Sequence, residues 1–223
     1  MNRCTLDHPA VAGTLARLFA EAEAGDPAVI DRARAVAERR GAALNDRDPE
    51  VAALLGEAYI PVSAEVGRLL YALARNRAAP LIVEFGTSLA ISTIHLAAAA
   101  RDSGGRVITS ELEPRKIERA RAHLAQAGVA DLVELRAGDA LETLAQLPAP
   151  IDLLFLDGWK ELYLPLLRLV EPRLSPGALV IADDTGLFPE AVRPFLEHVR
   201  APGGGYRAVD LPFGDGLELA VRL

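Results

Sequence analysis

Two stretches of this sequence gather side chains able to do chemistry. Asp157-Gly158-Trp159-Lys160 follows the apolar run 151–156, and Asp183-Asp184 follows the run 178–182. The first stretch holds the only tryptophan and one of just two lysines, the other being Lys116, among 24 basic residues. A lysine amine can be deprotonated by its surroundings, whereas an arginine stays charged. Lys160 is therefore a candidate base; the alternative is a solvated lysine in the first turn of a helix. Asp157, Asp183 and Asp184 would gather like charge, which costs energy unless a cation neutralises it. Magnesium fits such a set, because it takes hard oxygen ligands and keeps positions open for water or substrate oxygens. The alternative for Asp183 or Asp184 is a cap on the turn before Gly186.

For these groups to meet, strands must end side by side. Residues 81–85, 106–110, 132–136, 151–156 and 178–182 read as strands. Helices over about 92–101, 114–126, 141–147 and 162–174 alternate with them, which predicts parallel βαβ units in a doubly wound α/β sheet. Two last strands, 206–211 and 217–221, are separated only by a Pro-Gly loop, so they predict an antiparallel hairpin at the sheet edge and seven strands in all. Residues 1–79 read as an N-terminal helical region of the same domain and 80–223 as its core. Gly25-Asp26-Pro27 and Asp46-Arg47-Asp48-Pro49 are turn signals that would split the helical region, and Ser63 is a candidate N-cap. These amphipathic helices could cap the site or pair two subunits as a homodimer.

Ligands of open α/β sheets bind beyond the carboxyl ends of the strands. After the first strand stands Glu84-Phe85-Gly86, not the Gly-x-Gly-x-x-Gly that a pyrophosphate requires. An acid at that strand end suits a cation or a ribose hydroxyl. Glu111, at the end of the second strand, can accept both ribose hydroxyls. Asp139 or Ala140, after the third, would flank an adenine ring. An adenosyl group carrying positive charge points to S-adenosylmethionine. For each acid taken singly, a solvated loop carboxylate is the alternative.

The 223 residues are half apolar with a net charge of −7, which argues against a nucleic-acid partner. The single cysteine, Cys4, excludes an internal disulfide and fits a reducing compartment. No uninterrupted signal-like segment opens the chain, and its longest weakly polar run, 89–100, is too short to span a membrane. A cytoplasmic protein is expected. His8, His95, His123 and His198 follow no zinc spacing.

From Leu81 to Val199 the sequence resembles the catechol O-methyltransferase family of class I, magnesium-requiring O-methyltransferases. The resemblance rests on Glu84-Phe85-Gly86 with Ser92, on Thr109-Ser110-Glu111-Leu112-Glu113-Pro114, on Phe155 through Lys160 with Tyr163-Leu164-Pro165, on Ala182-Asp183-Asp184 and on Phe195 to Arg200. It implies a Rossmann-like methyltransferase fold. It further implies magnesium at Asp157, Asp183 and Asp184, and Lys160 as general base. Glu84, Gly86, Ser92, Glu111, Asp139, Ala140 and Asp157 would line the cofactor site, with Val62 in a covering loop. Trp159, Lys160, Asp184 and Asp210 would meet the acceptor. The chain departs from the family in four places. Asp184 stands for an Asn, Ala90 for the last loop Gly and Gly158 for a His, and the late Glu that grips the second hydroxyl has only Asp210 near its place.

The activity implied is methyl transfer from S-adenosylmethionine to a hydroxyl of a small, catechol-like acceptor. A metal-independent O- or N-methyltransferase, or a non-catalytic S-adenosylmethionine-binding protein, are the rival readings.

Overall fold

The computed structural model describes residues 4–41, 44, 48–148 and 150–223. Seven strands form one sheet in the order β3-β2-β1-β4-β5-β7-β6. They are β1 (Leu81–Phe85), β2 (Arg106–Glu111), β3 (Val133–Ala137), β4 (Ile151–Leu156), β5 (Leu174–Asp183), β6 (Tyr206–Leu211) and β7 (Leu217–Arg222). The first five are parallel, while β7 runs antiparallel to both β5 and β6. The doubly wound sheet with an antiparallel terminal hairpin therefore stands as expected. The chain switches direction between β1 and β4, and this is where a crevice opens beyond the strand ends.

Register follows the two-residue period of the strands. Ile82, Val107, Leu153, Phe155 and Ile181 face one apolar layer, shared with Val11, Leu15 and Leu18 of α1 (Pro9–Arg40), Val66 and Leu70 of α3 (Ala64–Arg77), Ile94 of α4 (Ile91–Ser103) and Leu124 of α5 (Pro114–Gln126). Leu81, Val83, Leu154, Leu156 and Val180 face the other, shared with Ala140 of α6 (Ala140–Thr143), Leu166 of α7 (Tyr163–Val170) and Phe195 of α8 (Pro189–Arg200). The N-terminal helices thus complete the core that the strands begin.

The sequence reading fails at four elements, one being the helix read over about 141–147, which ends at Thr143. Gly25-Asp26-Pro27 does not break the chain: α1 runs through it for 32 residues. Pro27 removes one helical N–H, but burial of Leu18, Ala22 and Ala33 on either side outweighs that loss. The helix α7 stops at Val170, and Glu171–Arg173 form a 3-10 turn, because β5 starts earlier than its apolar run implies. Between β5 and β6 lies α8, unread as a helix because Pro189 and Pro194 mask its period. Pro189 sits in the first turn, where no N–H partner is lost, and Val192, Phe195 and Val199 form its buried stripe.

Asp48 caps α2 (Pro49–Leu55) through the amides of Glu50 and Val51, whereas Asp46 and Arg47 lie outside the described residues. Ser63 caps α3 by accepting the Val66 amide at 3.2 Å.

Candidate active site

The acids at the ends of β4 and β5 meet. Lys160 opens a 3-10 turn directly after the β4 loop, and its side chain folds inward, leaving the residue only 5% exposed. Its Nζ lies 3.1 Å from Asp184 Oδ2 and 3.8 Å from Asp157 Oδ1. It also donates to the Tyr163 hydroxyl at 2.8 Å, and that hydroxyl donates to the Asp183 carbonyl at 2.9 Å. The solvated-lysine alternative is thereby excluded. Asp184 sits in the left-handed region, with φ +55, which turns its carboxylate toward the amine. Its amide donates to Asp183 Oδ1 at 3.0 Å.

Electrostatics in this cluster are strained. Burial, then the Asp183 charge, raises the Asp157 carboxyl well above its ordinary range, against the pull of Lys160. Burial and the Asp184 charge push Asp183 up to about 7. Burial also disfavours the Lys160 ammonium, but Tyr163, Asp157 and Asp184 outweigh it and hold the amine's pKa above the ordinary lysine value. The carboxylates and Tyr163 around it thus favour the protonated amine.

As a donor set, three carboxylates short of positive charge fit a hard dication. Their present geometry is another matter. Among the described residues no group of three or more His, Cys, Asp and Glu side chains closes around a metal position. Asp184 is turned onto Lys160 instead.

On the β1 side, Gly86 has φ +95, and a Cβ there would overlap the Asp157 carbonyl, so this loop needs glycine. Glu84 is fully buried and accepts from Ser92 at 2.7 Å, Thr93 at 2.6 Å and Thr109 at 2.7 Å. Burial raises its pKa despite those three donors. Its carboxylate is committed to holding the start of α4. Ala90 takes φ +69 as the residue before α4, a conformation that its Cβ disfavours. Where the resemblance implied a His, Gly158 leaves room for the Phe85 ring, which a Cβ would strike.

Glu111 is aligned by three amides, of Ser88 at 2.7 Å, Leu112 at 2.9 Å and Glu113 at 3.0 Å. Asp139 caps α6 through the Leu141 amide at 2.8 Å, and Ala140 is buried behind it. Tyr59, Ile60, Pro61 and Val62 line a narrow gap of about 10 Å³ against Gly86–Leu89, Ile91, Ser92 and Asp157.

One acceptor-side expectation changes. Asp210 lies exposed on the outer strand β6, paired with Arg200 at 3.7 Å, and does not join the cluster. The hairpin loop brings Asp215 instead. Its carbonyl accepts the Gly186 amide at 2.7 Å, and its charge adds to the upward push on Asp183. Strand register decides this, since Asp210 is spent opposite Glu218. Trp159 is half-buried against the layer that holds α7 and α8. Sequence reasoning also passed over Lys116, which is buried and donates to Ser88 Oγ at 3.0 Å; the rarity of lysine in this chain was the available signal. Two histidines are buried and bonded to the backbone: His95 Nδ1 pairs with the Ile91 carbonyl, His123 Nδ1 with that of Leu89.

Residues 83–185 match a methyltransferase-domain family model. The chain is 39% identical over 144 residues to a catechol O-methyltransferase of Mycobacterium tuberculosis, a match covering 61% of this chain and 65% of that one. It spans under two thirds of the length of such curated relatives. Among solved structures, cofactor-bound Rv0187 from MTB superposes with a TM-score of 0.69 at 34% identity, covering 78% of this chain and 90% of that one. The O-methyltransferase TomG from Streptomyces achromogenes, in complex with SAM, gives 0.66 at 34% identity over 73% and 82%. With 34% identity extending over 73% of this chain and 82% of TomG, this protein belongs to the O-methyltransferases, and within them it is similar to catechol O-methyltransferases.

Proposed function

We propose that this chain transfers the methyl group of S-adenosylmethionine to a hydroxyl oxygen of a small, catechol-like acceptor held beside Asp157, Asp183 and Asp184. The observation that carries this reading is the Lys160 amine, set 3.1 and 3.8 Å from two strand-end carboxylates. The names of two similar proteins, a catechol O-methyltransferase and an O-methyltransferase in complex with SAM, support the acceptor and donor classes.

Glu111, already aligned by three amides, holds the donor's ribose hydroxyls. Asp139 and Ala140 flank the adenine, and the Gly86 turn lets the backbone approach the methionine part. The Tyr59–Val62 segment excludes water. Asp157, Asp183 and Asp184 would hold Mg2+ or another divalent cation, which when bound supplies Lewis-acid stabilisation of an acceptor oxyanion. Lys160 Nζ takes the acceptor's hydroxyl proton. The O–CH3 bond forms as the S–CH3 bond breaks, and S-adenosylhomocysteine leaves. Two of the groups that hold a proton on Lys160 are carboxylates offered to the cation, so the same side chains set its seat and the amine's basicity. Alignment of donor and acceptor supplies much of the rate, with effective molarities of about 10⁵ M or more.

One observation favours a metal-independent second reading: Lys160 already neutralises Asp184, and no triple of acids closes around an ion position among the described residues. Methyl transfer to catechol after EDTA treatment, with and without magnesium add-back, separates the two. The first reading expects activity lost and then restored. Undiminished turnover in EDTA selects the second, and no turnover with any hydroxylated acceptor removes both.

A further inference from the structure

Asp26 is an oddity the chemistry above does not use. It lies in the middle of α1, is only 7% exposed, and no ion-pair partner stands within 4 Å among the described residues. Both its oxygens are nonetheless taken. Oδ1 accepts the Tyr59 amide at 2.8 Å and Oδ2 accepts the Ile60 amide at 2.7 Å. These are the first two residues of the segment that covers the donor cleft.

The same segment is fastened at other points. Ser88 Oγ donates to the Tyr59 carbonyl at 2.8 Å, and Lys116 Nζ donates to Ser88 Oγ at 3.0 Å. The Tyr59 hydroxyl donates to Glu21 of α1 and accepts from Arg119 of α5 at 2.5 Å, with that guanidinium 4.7 Å over the ring. Against these fastenings, Ile60 has φ +43, a conformation a β-branched residue disfavours. The cleft beneath encloses about 10 Å³, roughly one water, whereas small-molecule sites run to several hundred Å³. A ligand group seated between this segment and the Gly86 turn needs the segment to shift.

We propose that Asp26 is a positioning residue for the donor site: its carboxylate clasps the Tyr59 and Ile60 amides and sets how readily the covering strap admits S-adenosylmethionine and releases S-adenosylhomocysteine. The proposal rests on the donor reading of the Gly86–Ser92 cleft. Helix α1 supplies the anchor, Lys116 and Ser88 latch the opposite side, and strain at Ile60 favours reopening. A charge-assisted clasp of two amides would hold the strap far better than a neutral one.

The test is Asp26→Asn, which keeps one acceptor oxygen and loses the other. S-adenosylhomocysteine dissociation, followed by stopped-flow, is expected to speed up by about tenfold to a hundredfold. The KM for S-adenosylmethionine is expected to rise by a larger factor than kcat changes. Asp31→Asn, an exposed site on the same helix, serves as the control and is expected to leave both within about twofold. Hydrogen exchange on the wild-type protein gives a second measurement should Asp26→Asn fail to fold: the amides of Tyr59, Ile60 and Val62 should slow when S-adenosylhomocysteine binds, while β4 amides stay unchanged. Dissociation and KM unaltered in Asp26→Asn, or strap exchange indifferent to the ligand, would overturn the proposal. Absence of S-adenosylhomocysteine binding to the wild type would instead overturn the donor reading beneath it.

Discussion

Lys160 performs two tasks with one atom. Its ammonium now offsets two partly buried carboxylates, and the proposed chemistry asks its amine to take a proton. Lys160→Met should lower kcat by about 10²- to 10⁴-fold in a methyl-transfer assay, with S-adenosylhomocysteine affinity little changed. The same variant strips positive charge from the acids, so its melting temperature in EDTA should fall below wild type. Asp183 supplies the pH signature. Its folded pKa of about 7 lies above the unfolded value of 3.8, so between those limits the folded state binds more protons, and stability falls as pH rises. His95 and His123, both lowered by burial, act in the opposite direction near 6.5, so a variant difference is the clean observable. Asp183→Asn should match wild type in denaturant unfolding at pH 4 and be the more stable of the two at pH 8 in EDTA. An advantage that shrinks with rising pH would contradict the assignment. The acids and Lys160 stood out in the sequence because each lies at, or within four residues after, the end of a buried strand. Asp215 was not, because its reach depends on how the hairpin loop folds back onto Gly186.

Helices and loops were read best where local chemistry and tertiary packing agree. Ser63 and Asp48 cap helices as their types foretell. Gly25-Asp26-Pro27 misled because its turn chemistry is real but overridden: Asp26 bonds the strap rather than its own backbone, and apolar neighbours keep α1 continuous. Pro27→Ala should therefore stabilise the protein, by up to about 3 kcal/mol in denaturant unfolding, as an interior helical proline is removed. A loss of stability would show that Pro27 is needed to aim Asp26. At the start of α4, Ala90 with φ +69 invites the reverse test. Ala90→Gly relieves a cost of about 1–2 kcal/mol and adds about 0.5–1 kcal/mol of backbone entropy loss, so it should be neutral or mildly stabilising by the same measurement.

Across the whole molecule, strand order and direction were recoverable because βαβ alternation admits few topologies, and period-two burial fixes which side chains face each layer. The bonds that hold residues 59–60 were not, since they join α1, α5 and the β1–α4 loop, which lie far apart in sequence. No helix among the described residues is long and apolar enough to cross a membrane. The account's central claim is that carboxylates from β4 and β5 seat a divalent ion next to the methyl donor, releasing Lys160 to act as a base. A crystal structure with S-adenosylhomocysteine and manganese, read through anomalous scattering, tests it directly. The account predicts one anomalous peak coordinated by Asp157, Asp183 and Asp184, with Asp184 moved off the amine and the nucleoside over Gly86. Manganese absent from those three side chains while the nucleoside is bound would contradict it.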